Sequence, residues 1–300
     1  VIATVTPQKP RMGSGTVSEQ VLTGLAGQVA RLGDIEPAVL DAVRAEAVLA
    51  DRGVVAYGDY QSGGWWTASL LNHSGDHSDT VIGDGRPRPT GLLEQMPATG
   101  AFLESLGLDF MYVRLARLEA NSYLWEHRDY AELREIGRHR LHIPLVTNPS
   151  SVLVTAGAQV HLAAGALWRL TPTVAHGVRN VTGPDRLHLI ADVYTDDAYD
   201  QLATHTRLAP GDVRLLPELE PAGRQQLLVH ARSMADLGFK RAAEHHLLHA
   251  YFDYALPEGG AYELVAEMYA RRGNRDRAAW WTNTATHLLA RETAPARRPQ

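Results

Sequence analysis

Between Asp109 and Tyr194 the chain alternates short apolar runs with turn residues. The runs "FMYVRLARL", "YLWEH", "HRLHIPLV", "SVLVTAG", "QVHLAAG", "ALWRL", "AHGVRNV" and "LHLIADVY" are separated by "TNPSS", "AAG" and "TGPD". Many short strands at this spacing predict a barrel or a double-sheet jelly roll. The flanks follow another rhythm. "IEPAVLDAVRAEAVL" repeats apolar residues at helical intervals and has Pro37 near its start, where a missing N–H costs least. "VVAYGDYQSGGWWTASLLN", residues 54–72, mixes β-branched, aromatic and glycine residues as strands and turns do, and "HSGDHSDTVIGDGRPRPTG" reads as a surface loop. "PATGAFLESLG" predicts a short helix. After about residue 205, "AGRQQLLVHARSMADLGF", "KRAAEHHLLHAYFDYAL", "GGAYELVAEMYARRG" and "NRDRAAWWTNTATHLLARE" return to helical periodicity. The pattern predicts a mainly β fold with α-helices: a β unit with N-terminal helices over residues 1–205 and an α-helical unit over 206–300. No internal repeat is evident. The opening "VIATVTPQKPRMGSG" reads either as an added, non-native segment or as an unordered lead-in, and the closing "TAPARRPQ" is expected to be unordered.

Composition narrows the chemistry. Hydrophobic residues make up 45% of 300, enough for a sizeable core. A formal charge of −5 offers no basic excess to neutralise phosphates, so a nucleic-acid partner is not expected. There is no cysteine, which excludes disulfides, thiolate zinc sites, iron–sulfur clusters and cysteine nucleophiles. A metal must therefore sit on His, Asp or Glu. No apolar run approaches the roughly 18 residues of a membrane span. The N-terminus lacks the charged-then-apolar order of a signal peptide. These features predict a soluble, cytoplasmic protein with no membrane partner.

His127 and Asp129 lie two apart, so on a strand both side chains point to one face. A third ligand from a distant strand would complete the two-His, one-carboxylate face of non-haem Fe(II) oxygenases. His176, 47 residues after Asp129, is the candidate. Ten residues further, Arg186 offers a planar fork that grips a carboxylate bidentately. Arg140 and His142 supply further anion binders on the next predicted strand. The plainer alternative is that His176 is a satisfied barrel histidine and Arg186 a surface charge.

At these residues the chain resembles the 2-oxoglutarate/Fe(II) proline hydroxylases of the cis-3 type, within the aspartyl/asparaginyl β-hydroxylase superfamily. "HRDYAELRE" resembles that group's His-Arg-Asp-aromatic segment, and "AHGVRNVTGPDR" its distal His with an Arg ten positions later. "GGWWTASLLNHSGD" resembles its Gly-aromatic-Trp segment, and the helical tail its C-terminal region, so the likeness spans roughly residues 27–290. The resemblance implies a double-stranded β-helix (a jelly roll, cupin-like). It implies His127, Asp129 and His176 on Fe(II), Arg186 on the far carboxylate of 2-oxoglutarate, and Arg140 on a substrate carboxylate. His142 departs from the cis-3 enzymes, which carry an apolar residue there. It fits the Arg-X-His of the aspartyl hydroxylases, whose His contacts 2-oxoglutarate, and the exact substrate is left open. The two dyads are expected to face one cavity from neighbouring strands.

Arg117 also matches an arginine of the prolyl enzymes and is a candidate for holding a substrate carboxylate, against a structural ion pair. Trp66 and Asn72 are candidates for the pocket wall, against simple core packing. Trp168 reads as core. His73 and His77 read as loop residues, and the "HHLLH" of His245, His246 and His249 as an amphipathic helix rather than a metal site.

The implied activity is a dioxygenase using Fe(II), 2-oxoglutarate and O2, with ascorbate as an assay aid, that hydroxylates an unactivated C–H of free L-proline or a similar small L-amino acid. One alternative is hydroxylation of a residue in a peptide or on a carrier protein in natural-product assembly. Another, of a different class, is a non-catalytic cupin-like binding protein. The presence of all three ligands with Arg186 argues against that last reading.

Overall fold

The computed structural model describes residues 17–290 except 48, 51, 52, 57 and 130–135, with backbone alone at 59 and 205. The opening segment and the closing segment expected to be unordered lie outside the described residues.

Twelve strands are present among the described residues: β1 (Val29–Asp34), β2 (Trp65–Asn72), β3 (Arg88–Pro89), β4 (Phe110–Leu118), β5 (Ser122–His127), β6 (Arg138–Val146), β7 (Ser151–Thr155), β8 (Ala158–Val160), β9 (Ala166–Leu170), β10 (His176–Asn180), β11 (Arg186–Tyr194) and β12 (Val213–Leu215). They form two antiparallel sheets. Sheet A has seven strands in the order β1-β9-β6-β11-β4-β2-β3, and sheet B five in the order β12-β8-β7-β10-β5. Successive strands from β4 to β11 switch between the sheets, except that β7 and β8 stay together in sheet B.

Four layers result from the two-residue period of the strands. On sheet A, Val113, Leu115, Leu141, Ile143, Leu189 and Ala191 face outward. They pack with Leu40 and Val43 of the helix Pro37–Ala47 and with Phe102 and Leu103 of a further helix, Pro97–Ser105. The intervening residues face sheet B, where Ala116, Leu118 and Ile190 meet Leu124, Leu153 and Val178. Trp168 is fully buried in that same core, its Nε1 donating to the Ala163 carbonyl.

Sheet B is covered by the C-terminal helices. Tyr123, Trp125, Val152 and Val154 share a core with helices Pro221–Asp236, Lys240–Leu248, Ala250–Asp253, Gly260–Arg271 and Arg275–Leu288. His245 and His249 pack on Trp125 at ring separations of 5.2 and 5.5 Å. Gly177 shows how close the approach is: a Cβ there would lie 2.8 Å from the Tyr251 ring and 3.1 Å from the Leu124 carbonyl oxygen.

One feature differs from the sequence expectation. β12 falls after residue 205, within the region expected to be helical, yet pairs with β8; a three-residue strand is too short to show periodicity among helices. Within 54–72, expected to mix strand and turn, β2 occupies the second half and residue 54 adds one isolated bridge to Thr67.

Candidate metal centre

His127 and His176 are direct cross-strand partners on β5 and β10, with ring centroids 4.5 Å apart. Asp129 lies two residues beyond the end of β5, where its N–H donates to the Pro172 carbonyl. One carboxylate oxygen is 3.7 Å from His127 Nε2 and the other 3.7 Å from His176 Nε2. One ligand atom from each of the three lies within 4.8 Å of the others, the sole such cluster of three among the described residues. Each histidine has its Nδ1 at a backbone carbonyl, Trp125 at 2.7 Å and Val174 at 2.9 Å. A carbonyl accepts only, so both imidazoles carry the proton on Nδ1 and turn an Nε2 lone pair toward Asp129. This is the arrangement that metal-binding histidines require.

The electrostatics suit a cation. Burial pushes the His127 imidazole below its ordinary range and the His176 imidazole down to about 3, so both are neutral. Burial would raise the Asp129 carboxyl, but the charges of Arg140 and Arg114 outweigh it and hold it well below the usual carboxylate range. Two neutral imidazoles and an ionised carboxylate form a nitrogen–oxygen donor set suited to Fe(II) and its divalent neighbours.

The helical layer clasps this end of β5 from both sides. The Glu126 carbonyl accepts from Tyr262 Oη at 2.6 Å, and its carboxylate from the Gly259 N–H at 3.0 Å. The Arg128 N–H donates to the Leu288 carbonyl at 2.8 Å, and its guanidinium pairs with Glu258. The residues on each side of His127 are thereby fixed.

Opposite the ligands, the inner face of sheet A carries the cations. Arg114, Arg140, His142 and Arg186 line the same cavity as the three candidate ligands, with Tyr60 and Trp65 at its wall. Tyr60 stacks on His127 at 4.2 Å. Arg140 binds Asp192, its direct cross-strand partner, through Nε at 2.8 Å, and reaches across to Asp129. Arg186 donates through Nε to His188 at 3.1 Å, and burial lowers its guanidinium to about 9, so it stays charged at neutral pH. Its Nη1 is buried with no hydrogen-bond partner among the described residues, and so is Nε2 of His142. Such orphans carry a desolvation penalty that a bound anion would remove.

The structure thus brings His127, Asp129, His176, Arg140, His142 and Arg186 together. It corrects how they meet. The Arg140–His142 dyad faces the His127–Asp129 dyad from the opposite sheet, not from a neighbouring strand, because the chain crosses between sheets after β5. Arg186 likewise lies across the cavity from His176, while His176 is the immediate neighbour of His127.

Three candidates are elsewhere. Arg117 is on the outer face of β4, ion-paired with Asp185 and lying over the Trp66 ring at 5.7 Å. Trp66 is on that outer face too, since a one-residue step on a strand reverses the face. Asn72 is buried but organises its own loop, donating to the Asp76 and Asp79 carbonyls and accepting from the Gly75 N–H. The residues that do reach the cavity are Trp65 and Arg114. Arg114 shares the inner face of β4 with Ala116 and Leu118, a parity that near-continuous burial of the strand hides in the sequence. His188 carried no sequence signal of its own. Residues 130–135, part of the segment that carried the resemblance, lie outside the described residues.

The sequence model of the Aspartyl/Asparaginyl beta-hydroxylase family matches residues 38–196. Among similar proteins, an L-proline cis-3-hydroxylase of a Streptomyces species is 29% identical over 152 residues, covering 48% of this chain and 52% of the relative. An L-proline cis-4-hydroxylase of Rhizobium meliloti is 30% identical over 142 residues, covering 46% and 50%. The chain thus spans about half the length of these relatives. Of the solved structures, a Pseudomonas putida prolyl-4-hydroxylase is 19% identical with a TM-score of 0.37, covering 59% of this chain and 98% of that one. HygX from Streptomyces hygroscopicus, with nickel and 2-oxoglutarate bound, is 11% identical with a TM-score of 0.36, covering 59% and 87%. No helix among the described residues is long and apolar enough to cross a membrane.

Proposed function

The chain belongs to the aspartyl/asparaginyl β-hydroxylase family, and from that premise we propose that it is an Fe(II)- and 2-oxoglutarate-dependent dioxygenase that hydroxylates a free small L-amino acid, L-proline first among them. The alternation of β4 to β11 between two sheets supports a double-stranded β-helix. The observation that carries the proposal is the pairing, across one cavity, of a His-Asp-His cluster with two buried nitrogens, on Arg186 and His142, that have no hydrogen-bond partner among the described residues.

His127, Asp129 and His176 would hold the iron, and Arg186 with His142 would hold the far carboxylate of 2-oxoglutarate. When bound, the two supply oxidative decarboxylation of the keto acid by O2 and the power to remove hydrogen from an unactivated C–H. The chain's own share is binding and aim. Among the described cavity groups and their direct partners, Arg114, Arg140 and Arg186 face Asp129 and Asp192, and the four histidines bear no charge of their own at neutral pH. Arg140 and Arg114, which line the cavity beside the candidate ligands, are the candidate anchors for a substrate carboxylate. A carboxylate held at a fixed distance from the metal selects which C–H is attacked.

The test is succinate release from 2-oxoglutarate with iron and ascorbate across a panel of L-amino acids, with L-proline set beside its methyl ester and amide. Stimulation by the free acid and not by the blocked forms is expected. Equal turnover of the blocked forms would replace the free-amino-acid reading by one in which the residue sits in a peptide or on a carrier. Absence of 2-oxoglutarate turnover with every substrate would favour a binding protein.

A further inference from the structure

His142 and Arg186 are not independent, because His188 lies between them. Arg186, His188, Ile190 and Asp192 succeed one another on the inner face of β11. Arg186 Nε is 3.1 Å from His188 Nε2, and His188 Nδ1 is 3.4 Å from His142 Nδ1. The two rings meet edge to face at 79° with centroids 5.6 Å apart. All three side chains are buried, none more than 4% exposed.

The proton positions can be assigned in order along this chain of contacts. A guanidinium can only donate. Its Nε has a single hydrogen, fixed in the plane and aimed at His188 Nε2, so that nitrogen is the acceptor. Burial first, and then the Arg186 charge, hold both imidazoles well below their ordinary range, so each ring carries one proton. The His188 proton is therefore on Nδ1 and is given to His142 Nδ1. That makes His142 Nδ1 an acceptor and places its own proton on Nε2, the buried orphan at the cavity. Arg186 Nη2 also lies 2.9 Å from His188 Nδ1. Donation there would reverse both tautomers, turn a lone pair of His142 toward the anion site, and leave the Nε hydrogen facing another N–H. Nη2 has a second hydrogen to use elsewhere, whereas Nε does not.

We infer that His188 is a positioning residue that sets the tautomer of His142, so that His142 presents an Nε2–H donor to the cavity beside the Arg186 fork. His188 touches neither a candidate metal ligand nor the cavity. It converts a histidine, which can accept or donate, into an obligate donor suited to a carboxylate. That the carboxylate belongs to 2-oxoglutarate rests on the function proposed above.

The experiment is long-range proton–nitrogen NMR of the metal-free, ¹⁵N-histidine-labelled protein, with the His142 signal assigned by loss in His142→Gln. The Nε2-protonated form is expected in the wild type. It should persist in His188→Asn, whose amide N–H can replace the Nδ1 donor, and give way to a tautomer mixture in His188→Leu. A Nδ1-protonated His142 in the wild type, or an unchanged tautomer in His188→Leu, would overturn the inference. If the leucine variant does not fold, the wild-type spectrum decides alone. Binding of N-oxalylglycine to the Zn(II)-loaded protein separates this inference from the functional reading. His188→Leu should weaken it about tenfold, and should add nothing in a His142→Leu background. A wild type with the expected tautomer and no affinity for N-oxalylglycine would sink the cosubstrate assignment and leave the tautomer assignment standing.

Discussion

The two sheets use the same two-residue period to opposite ends. Sheet B spends its inner face on Leu124, Leu153 and Val178 and reserves for chemistry only the end where β5 stops and β10 starts, with His127 and His176 side by side. Sheet A places polar and charged residues on the inner face of its longest strands, at Arg114, Arg140, His142, Arg186, His188 and Asp192, and packs an apolar outer face beneath helices. A buried guanidinium is tolerable only where hydrogen-bonded partners surround it. Sheet A provides them at short range through Asp192 for Arg140 and His188 for Arg186. Sheet B is backed instead by a helical layer that fixes residues 126 and 128. The difference teaches that the metal side is held from behind, by another layer, while the anion side is held within its own sheet.

The largest effect should come from the metal side. Asp129→Ala removes the one anion among the candidate ligands. Fe(II) affinity should fall by more than the ~100-fold that loss of an outer partner typically costs, with succinate release lost alongside. Near-normal succinate production by this variant would show that the iron is held elsewhere.

Arg140→Ala breaks the anion side more severely than a surface charge would. It leaves Asp192 buried without its cross-strand partner, so unfolding free energy should drop by about 3–5 kcal/mol. Slow succinate formation should persist while hydroxylated product falls by orders of magnitude. Measuring both products on one sample distinguishes loss of aim from loss of fold. Arg186→Ala should cost about 1.5–3 kcal/mol in 2-oxoglutarate affinity, roughly tenfold or more, and Arg186→Lys should recover only part, lacking the planar fork. An unchanged affinity in Arg186→Ala would move the anchor to Arg114 or Arg140.

Acid should destabilise the metal side. His176 is neutral in the fold, its imidazole lowered to about 3 from an ordinary 6.5. Between those values the unfolded chain binds the extra proton, so this stabilisation is complete above 6.5 and is lost as the pH falls. Glu126, raised by burial to about 7 from 4.5, has the opposite sign: its contribution is full below 4.5 and is lost as pH rises through about 7. Urea midpoints of the metal-free protein should therefore be compared with His176→Asn between pH 6.5 and about 4. The wild type should lose more stability over that range than the variant, and parallel curves would mean that His176 is not buried neutral.

The smallest effect belongs to the outer face of sheet A. Arg117 is 38% exposed in its pair with Asp185, so Arg117→Ala should cost less than about 1 kcal/mol and leave turnover unchanged. A large rise in substrate requirement would return Arg117 to the pocket and contradict the face assigned to it.

Much of this was decided by residue types and spacing. The absence of cysteine restricted any metal to His and carboxylates, and "HRD" with a distant "AHG" and an Arg ten residues on marked one candidate set. Turn residues between short apolar runs marked the β core, and the helical period marked the C-terminal layer. Residue types and spacing could not fix which side of a strand a residue faces when both sides are buried. In "FMYVRLARL" every position but one is buried, so polarity does not alternate and Arg114 looks no different from Arg117. The same ambiguity exchanged Trp66 for Trp65 and hid His188 among apolar neighbours. Register against partner strands settles that parity, and those partners are far away in the chain: Ser69 and Ile190 flank Arg114, and Asp192 stands opposite Arg140. Local periodicity is written in consecutive residues, whereas the meeting of two sheets depends on contacts between residues scores of positions apart, and only the tertiary structure chooses among them.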